Sequence, residues 1–219
     1  MDYRILSLII LFLSFSCSSK KSVLYFQDLQ NSDSFSSQYY EQIIRVDDIL
    51  KIDISTSDPE VSLFFNNRGT YTTISNDKES MLLMGYQVDN FGNINYPRVG
   101  TIKVSGLTKS QLSKLLFDKL VNGGELINPH IDIKFLNSNF TVLGEVNKPG
   151  NYSFSENNLN ILEALGIAGD LTINGERNDI KLIRQSFEKT NVYSVDLTKK
   201  NLFEEDFFQI ISGDIIIVN

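Results

Sequence analysis

Few side chains in this 219-residue sequence are of the kinds that carry out chemistry. There is one histidine, His130, and one cysteine, Cys17, so the sequence offers no Cys/His cluster for a metal ion. A Ser-His-Asp arrangement would have to use His130, which follows Asn128-Pro129 at the start of a predicted strand and is expected to be structural and partly exposed. We therefore expect no metal, no cofactor and no activated nucleophile.

Carboxylates are the remaining candidates for acid/base catalysis. Asp47 and Asp48 are adjacent on a predicted turn, so their side chains are expected to point apart. The run Glu204-Glu205-Asp206 is expected to be a solvated loop. A glycosidase needs only two carboxylates, so a count of acids does not exclude one, but no motif supports it. We predict that the protein is not an enzyme.

The N-terminal segment predicts export from the cytoplasm. Residues 5–15 are apolar apart from serines, follow Arg4 and are too few to span a bilayer, as in a signal peptide. Cys17 ends this segment between Ser16 and Ser18, and it resembles the lipidated cysteine of a bacterial lipoprotein. We expect residues 1–16 to be removed, Cys17 to be lipidated and the anchor to lie in the outer membrane. The alternative is a plain secretory signal that contains a cysteine by chance.

Composition limits the partners and the extent of the folded part. The net charge of −7 argues against nucleic acid, which is bound by clustered Lys and Arg. Residues 17–42 are rich in Ser, Gln, Asn and Asp and predict a flexible tether. A hydrophobic content of 42% is ordinary for a globular protein with a buried core. We expect this core to be formed by the residues that follow the tether.

Periodic apolar residues predict an α+β protein with mixed sheets. Thr108-x-x-Gln111 and Asn160-x-x-Glu163 are capping boxes, each followed by apolar residues at helical spacing, so they predict two helices. Roughly ten short strands are predicted around them. Asn90, Gly92 and Asn93 predict a hairpin within residues 86–97. A boundary near residues 137–139 divides the folded part into two domains, 43–138 and 139–219.

The segment TVLGEVNKPGNYSF (141–154) predicts two strands that meet at a corner. Pro149-Gly150 suits the two central positions of a type II turn, since proline fixes φ and glycine accepts φ > 0.

Several motifs occur in an order that is specific even though each is weak alone. They are IRVDDILKI (44–52), YQVDNFGNINYPRVGTIKVSGLT (86–108), NPHI (128–131), VLGEVNKPGNY (142–152), LEALGIAGDL (162–171) and NDIKLIR (178–184). In this order the chain resembles the Wza-type outer-membrane polysaccharide export proteins over about residues 43–219. In the first motif Arg45-Val46-Asp47 replaces the family's R-I-G-P-G, so the glycine is missing and a different turn is expected.

The resemblance implies a fold, an assembly and partners. It implies a mixed-sheet export domain at 43–138, then a β-grasp-like SLBB (soluble ligand binding β-grasp) domain at 139–219. Family members form homo-oligomeric rings in the periplasm. Such a ring passes capsule polysaccharide or exopolysaccharide from an inner-membrane polysaccharide copolymerase through the outer membrane, without catalysis.

One departure and two alternatives accompany this resemblance. Well-known members end in an amphipathic helix, whereas this sequence has no second apolar segment before Asn219. Either the chain is truncated or the outer membrane is crossed by another arrangement. A periplasmic lipoprotein that binds a glycan or small ligand is the first alternative, and an enzyme of envelope sugars is the second. A ring indicates export, a monomer with a saturable pocket indicates a receptor, and turnover of glycans indicates an enzyme.

Overall fold

Buried apolar side chains form two separate clusters in the chain. The computed structural model describes residues 24–35, 41–66, 78–155, 158–185 and 189–219, so the predicted signal peptide and Cys17 lie outside the described residues. One cluster draws on residues between Ile44 and Ile133, and the other on residues between Phe140 and Val218. The α+β class with mixed sheets, predicted from the sequence, is confirmed.

The first cluster lies within a small antiparallel sheet, a hairpin and a helix. Its elements in chain order are β1 (Ile49–Ser55), α1 (Pro59–Leu63), α2 (Lys78–Met84), β2 (Tyr86–Gln87), β3 (Asn93–Tyr96), β4 (Gly100–Lys103), α3 (Lys109–Asn122) and β5 (His130–Phe135). The sheet has the order β2-β1-β5, and β3 pairs with β4. From Leu50 onward in β1 every second side chain is buried, as expected of a strand with one face on the core.

The helix α3 begins at the capping box that the sequence predicted. The Thr108 hydroxyl accepts the Gln111 N–H at 3.2 Å, and the Gln111 side-chain oxygen accepts the Thr108 N–H at 2.9 Å. The apolar face of α3 is formed by Leu112, Leu116 and Leu120, which are buried in the first cluster.

The hairpin predicted within residues 86–97 is wrong. Strand β2 pairs with β1, while β3 pairs with β4 across a turn in which Arg98 has φ +61°. The Asp89 carboxylate accepts the N–H groups of Phe91 and Asn93, at 2.9 and 2.8 Å. The turn at residues 89–93 therefore closes a loop between β2 and β3, which do not pair with each other.

The second cluster is enclosed by a five-stranded mixed sheet and one α-helix. Its elements are β6 (Asn139–Gly144), β7 (Gly150–Ser153), β8 (Leu159–Asn160), α4 (Ile161–Ile167), β9 (Ile180–Gln185), β10 (Thr190–Val195), a 3₁₀ helix (Lys200–Glu204), β11 (Gln209–Ile210) and β12 (Ile215–Val218). The sheet order is β10-β9-β12-β6-β7, in which β12 runs parallel to β6. The second predicted capping box is confirmed, since Asn160 and Glu163 bond each other's backbone N–H.

The corner between β6 and β7 is built differently from the prediction. The two strands pair antiparallel, as expected, but the type II turn at Pro149-Gly150 is wrong, because Gly150 is the first residue of β7 and has no positive φ. The left-handed residue is Gly144, with φ +89°. A Cβ atom there would collide with the Val218 carbonyl oxygen, so the close approach of β12 requires glycine.

The flexible tether predicted for residues 17–42 is wrong for residues 24–35. The backbone N–H groups of Phe26 and Gln27 donate to Leu197 O at 3.0 Å and Thr198 O at 2.8 Å. Tyr25 and Phe26 pack against the second cluster. We call residues 24–35 the docked segment. Its apolar contacts hold it in place, although its polar composition predicted a flexible chain.

Candidate functional site

The residues that the sequence offered for chemistry do not come together. His130 is exposed at the start of β5, opposite Ser55, and the side chains of Glu204, Glu205 and Asp206 are exposed. Within the described ranges, no group of three or more His, Cys, Asp or Glu side chains is placed to hold a metal ion.

Asp47 and Asp48 have separate structural roles in the turn before β1. The turn is closed by Asp48 N–H donating to Arg45 O at 3.3 Å, and Asp47, its third residue, has φ +68°. The third residue of a type II turn has φ > 0, which aspartate tolerates better than most residues. Asp47 thus adopts a conformation that favours glycine, at the place where the family's motif has one.

Asp48 is buried, in contrast to its exposed neighbour. Its carboxylate accepts the Arg45 N–H at 2.7 Å. Burial raises the pKa of Asp48 to about 6, although the Arg45 N–H and the Arg45 charge oppose the shift. The Asp48 carboxylate therefore caps the turn that contains it, and this structural role accounts for its burial without a catalytic role.

Asn137 connects this turn to the second half of the chain. Its carboxamide oxygen accepts the Ile49 N–H at 2.8 Å, and its amide nitrogen donates to Asp47 O at 2.9 Å. Arg45 donates to Ser212 O at 3.3 Å, and the Ser212 hydroxyl accepts the Asn139 N–H at 3.3 Å. The linker between the two sheets is therefore hydrogen-bonded on both sides.

Aromatic rings hold the docked segment to the 3₁₀ helix. The Phe203 ring stacks with Phe26 at 4.8 Å and with Phe35 at 4.9 Å between ring centroids. These two contacts bracket the docked segment, because Phe26 lies near its start and Phe35 is its last residue.

Polar contacts fix the two ends of the docked segment. The Tyr25 hydroxyl donates to the Asp170 carboxylate, and the Arg177 guanidinium lies 5.9 Å from the Tyr25 ring centroid. Burial, together with the bond to Asp170, raises the pKa of Tyr25 to about 12. Lys200 pairs with Asp33 at 3.1 Å, toward the other end of the segment.

The described residues include two open grooves beside the elements of the first cluster. The larger, about 590 Å³, lies between α3 and β5 and has a mixed charged lining that includes Lys109, Lys114, Asp132, Lys134 and Glu41. The smaller, about 360 Å³, lies where α1 ends beside β2 and β3. It is lined by Phe64, Phe65, Asn66, Tyr86, Asn95 and Pro97.

None of the helices in the described residues has both the length and the apolar character that crossing a membrane requires.

Family comparison agrees with the order of the two units. Residues 36–136 match the family described as "Polysaccharide biosynthesis/export protein", and residues 139–195 match the SLBB domain. Residues 36–136 therefore belong to the polysaccharide biosynthesis/export family, and residues 139–195 form an SLBB domain. The family resemblance seen in the sequence is thereby confirmed, and the family match begins inside the predicted tether rather than after it.

Two proteins that are named for polysaccharide export are similar to part of this chain. The EPS I polysaccharide export outer membrane protein EpsA of Ralstonia nicotianae is 31% identical over 106 residues, which are 46% of this chain and 27% of the relative. Its namesake from Ralstonia solanacearum is 27% identical over 120 residues, or 53% of this chain and 31% of the relative. The alignment thus spans less than a third of each relative.

Proposed function

We propose that this protein is a subunit of a polysaccharide export channel, in which copies of the chain form a ring that passes capsule polysaccharide or exopolysaccharide without catalysis. The observation that carries the proposal is the succession of an export domain and an SLBB domain in one chain. Similar proteins are named as polysaccharide export outer membrane proteins, which supports a place in the outer membrane.

If Cys17 carries a lipid, the docked segment would keep that lipid close to the second domain. Leu24 is seven residues beyond Cys17. An extended chain covers at most about 3.6 Å per residue, so a lipid on Cys17 would hold Leu24 within about 25 Å of the membrane. Since residues 24–35 lie on the second domain, we propose that this domain faces the outer membrane and the rest of the chain extends into the periplasm.

A ring needs head-to-tail contacts between neighbouring copies. Such interfaces join two different surfaces and close by rotation. The five-stranded sheet has β7 and β10 as its outer strands, and the three-stranded sheet has β2 and β5. Open strand edges of this kind pair readily with another chain. We propose that neighbours use them, and that an inner-membrane polysaccharide copolymerase delivers the polymer to the ring.

The export function is tested by comparing surface polysaccharide in a deletion strain and in a His130→Ala strain. The deletion strain should make repeat units and lose surface polymer, whereas His130→Ala should export normally because the imidazole is exposed at the start of β5. Full surface polymer in the deletion strain, with no second copy of the gene, contradicts the proposal. Loss of export in a folded, abundant His130→Ala protein would favour a receptor or an enzyme instead.

The anchor has its own test in the variant Cys17→Ser. The lipid expected on Cys17 is a thioether-linked diacylglycerol, whose affinity for the membrane grows by about 0.8 kcal/mol per buried CH₂ and is strengthened by the avidity of a ring. The unlipidated variant should therefore leave the outer-membrane fraction, while Ser16→Ala, which keeps a small residue before the cysteine, should remain there. Retention of Cys17→Ser in the outer membrane would refute the lipid anchor.

A further inference from the structure

We propose that the smaller groove, between the end of α1 and strands β2 and β3, is a binding subsite for an uncharged hexose unit. Only the identification of this hexose as part of the exported polymer rests on the proposed function. The groove's lining combines an exposed aromatic ring, a phenol and a carboxamide, which together match the surfaces of a pyranose.

The aromatic ring at the groove is exposed, and the backbone that carries it is fixed by hydrogen bonds. Phe64 is 73% exposed at the end of α1, where its N–H donates to Val61 O at 3.2 Å. The next two residues are tied down, since the buried Tyr96 hydroxyl donates to Phe65 O at 3.0 Å and Asn66 bonds Ile54. The Asn66 carboxamide accepts Ile54 N–H at 2.6 Å and donates to Ile54 O at 2.9 Å. The backbone that carries Phe64 is thus fixed by hydrogen bonds, and its exposed phenyl ring is a surface on which a ligand can stack.

Polar groups in the same groove are available to a ligand. The Tyr86 hydroxyl and the exposed Asn95 carboxamide make no side-chain hydrogen bond to any residue that the structure describes. The Tyr86 ring is fixed, since it packs on Tyr96 at 5.0 Å between centroids, and partial burial raises its pKa to about 12. The phenol therefore stays neutral, and both groups can donate to or accept from sugar hydroxyls.

The chemistry of the lining selects the kind of sugar. A pyranose has a face of C–H groups, slightly positive, that suits the negative face of a phenyl ring, and a rim of hydroxyls that suits an amide and a phenol. No charged side chain is among the described residues that line this groove, so these residues offer neutral partners to a sugar and no ionic partner to a uronate or sulfate. The groove between α3 and β5, with its lysines and acids, is the contrasting surface.

The subsite is tested by titrating the full mature chain, with Cys17 replaced by Ser, with tetrasaccharides. Maltotetraose and cellotetraose are the neutral probes, and tetragalacturonate is the acidic one. Amide shifts in nuclear magnetic resonance spectra give both the site and the affinity. Weak binding, with Kd on the order of 1 mM, is expected of an open groove through which a polymer must pass. The shifts should centre on residues 64–66, Tyr86 and Asn95.

Two variants and one matched control distinguish binding at the subsite from non-specific binding to an exposed aromatic ring. Phe64→Ala should weaken neutral binding by about threefold to tenfold, the usual worth of an aromatic contact, and Tyr86→Phe should weaken it with the fold intact. Phe91→Ala removes an equally exposed phenyl ring, 78% exposed, on a loop of the same domain and should leave binding unchanged.

The outcomes are distinct from those of the export test. Neutral binding that depends on Phe64 and not on Phe91 supports the subsite, even if the deletion strain exports normally and the export proposal fails. No shift with either neutral probe at about 10 mM, equal loss in Phe64→Ala and Phe91→Ala, or preference for tetragalacturonate at this groove would overturn the subsite while leaving export untouched.

Discussion

The guanidinium of Arg184 and the carboxylate of Asp214 form a bidentate pair inside the second domain. Nε donates to Oδ1 at 2.9 Å and Nη2 donates to Oδ2 at 2.7 Å, while the Asp214 side chain is 1% exposed. The Ile211 N–H also donates to Asp214, at 2.9 Å. The pair thus joins β9 to the turn that starts β12, next to the Ser212 contact with the first domain.

Breaking this pair from one side should destabilise the fold strongly. Asp214→Asn leaves the Arg184 cation buried without its counter-charge, so the free energy of unfolding should fall by about 3–5 kcal/mol. Replacing both partners, as in Arg184→Met with Asp214→Leu, removes the unpaired charge and should recover much of the loss. Urea unfolding of the full chain measures both. If Asp214→Asn unfolds like the wild type, the pair does not hold the domain.

The second prediction separates the two glycines of the β6–β7 corner. Gly144→Ala places a Cβ atom against Val218 O at a left-handed residue, so backbone strain alone should cost about 1–3 kcal/mol. Gly150→Ala, with φ in the ordinary range and no close neighbour, should stay within about 0.5 kcal/mol of the wild type. Thermal or urea unfolding compares the two directly. Equal effects would show that the corner does not depend on Gly144.

The third prediction concerns the docked segment. Phe203→Ala removes both ring contacts to the segment, each worth about 0.5–1.5 kcal/mol, and also its edge contact with Phe208 at 5.4 Å. The amide protons of Phe26 and Gln27, which donate to Leu197 O and Thr198 O, should exchange with solvent about tenfold to a hundredfold faster. Phe91→Ala is the control and should leave both rates unchanged. Unaltered exchange in Phe203→Ala would mean that the rings do not hold the segment.

Features encoded by neighbouring residues could be predicted from the sequence. Both capping boxes need only residues three positions apart, so Thr108 and Asn160 mark the helices correctly. The alternation of β1 likewise follows from the local pattern.

Features that depend on residues distant in the chain could not be predicted from the sequence. Gly144 must be glycine because Val218 passes beside it, and the docked segment is ordered because Phe203 stacks on it. The groove with Phe64 could not be predicted either, since Tyr86 and Asn95 reach it from two other strands. The missing glycine of the family's first motif led us to expect a different turn, but Asp47 takes a left-handed conformation at that place, which aspartate tolerates.

The fourth prediction uses the buried carboxylate of Asp48. Burial raises its pKa to about 6, above the value of about 3.9 expected in the unfolded chain, so the folded protein binds this proton more tightly. The stability that results is fully present below about pH 4 and is lost as pH rises through about 6. A shift of about two units corresponds to about 3 kcal/mol, at roughly 1.4 kcal/mol per unit.

Asp48→Asn isolates this contribution, because asparagine keeps an oxygen for the Arg45 N–H and cannot ionise. The difference in unfolding free energy between Asp48→Asn and the wild type should therefore grow in favour of the variant by about 2–3 kcal/mol between about pH 4 and pH 7.5. Asp47→Asn, at the exposed neighbour in the same turn, is the control for loss of a charge and should show little such growth. Urea unfolding across that pH range checks all three proteins. A constant difference for Asp48→Asn would mean that Asp48 ionises equally easily in the folded and unfolded chains, and that its burial has no bearing on how stability changes with pH.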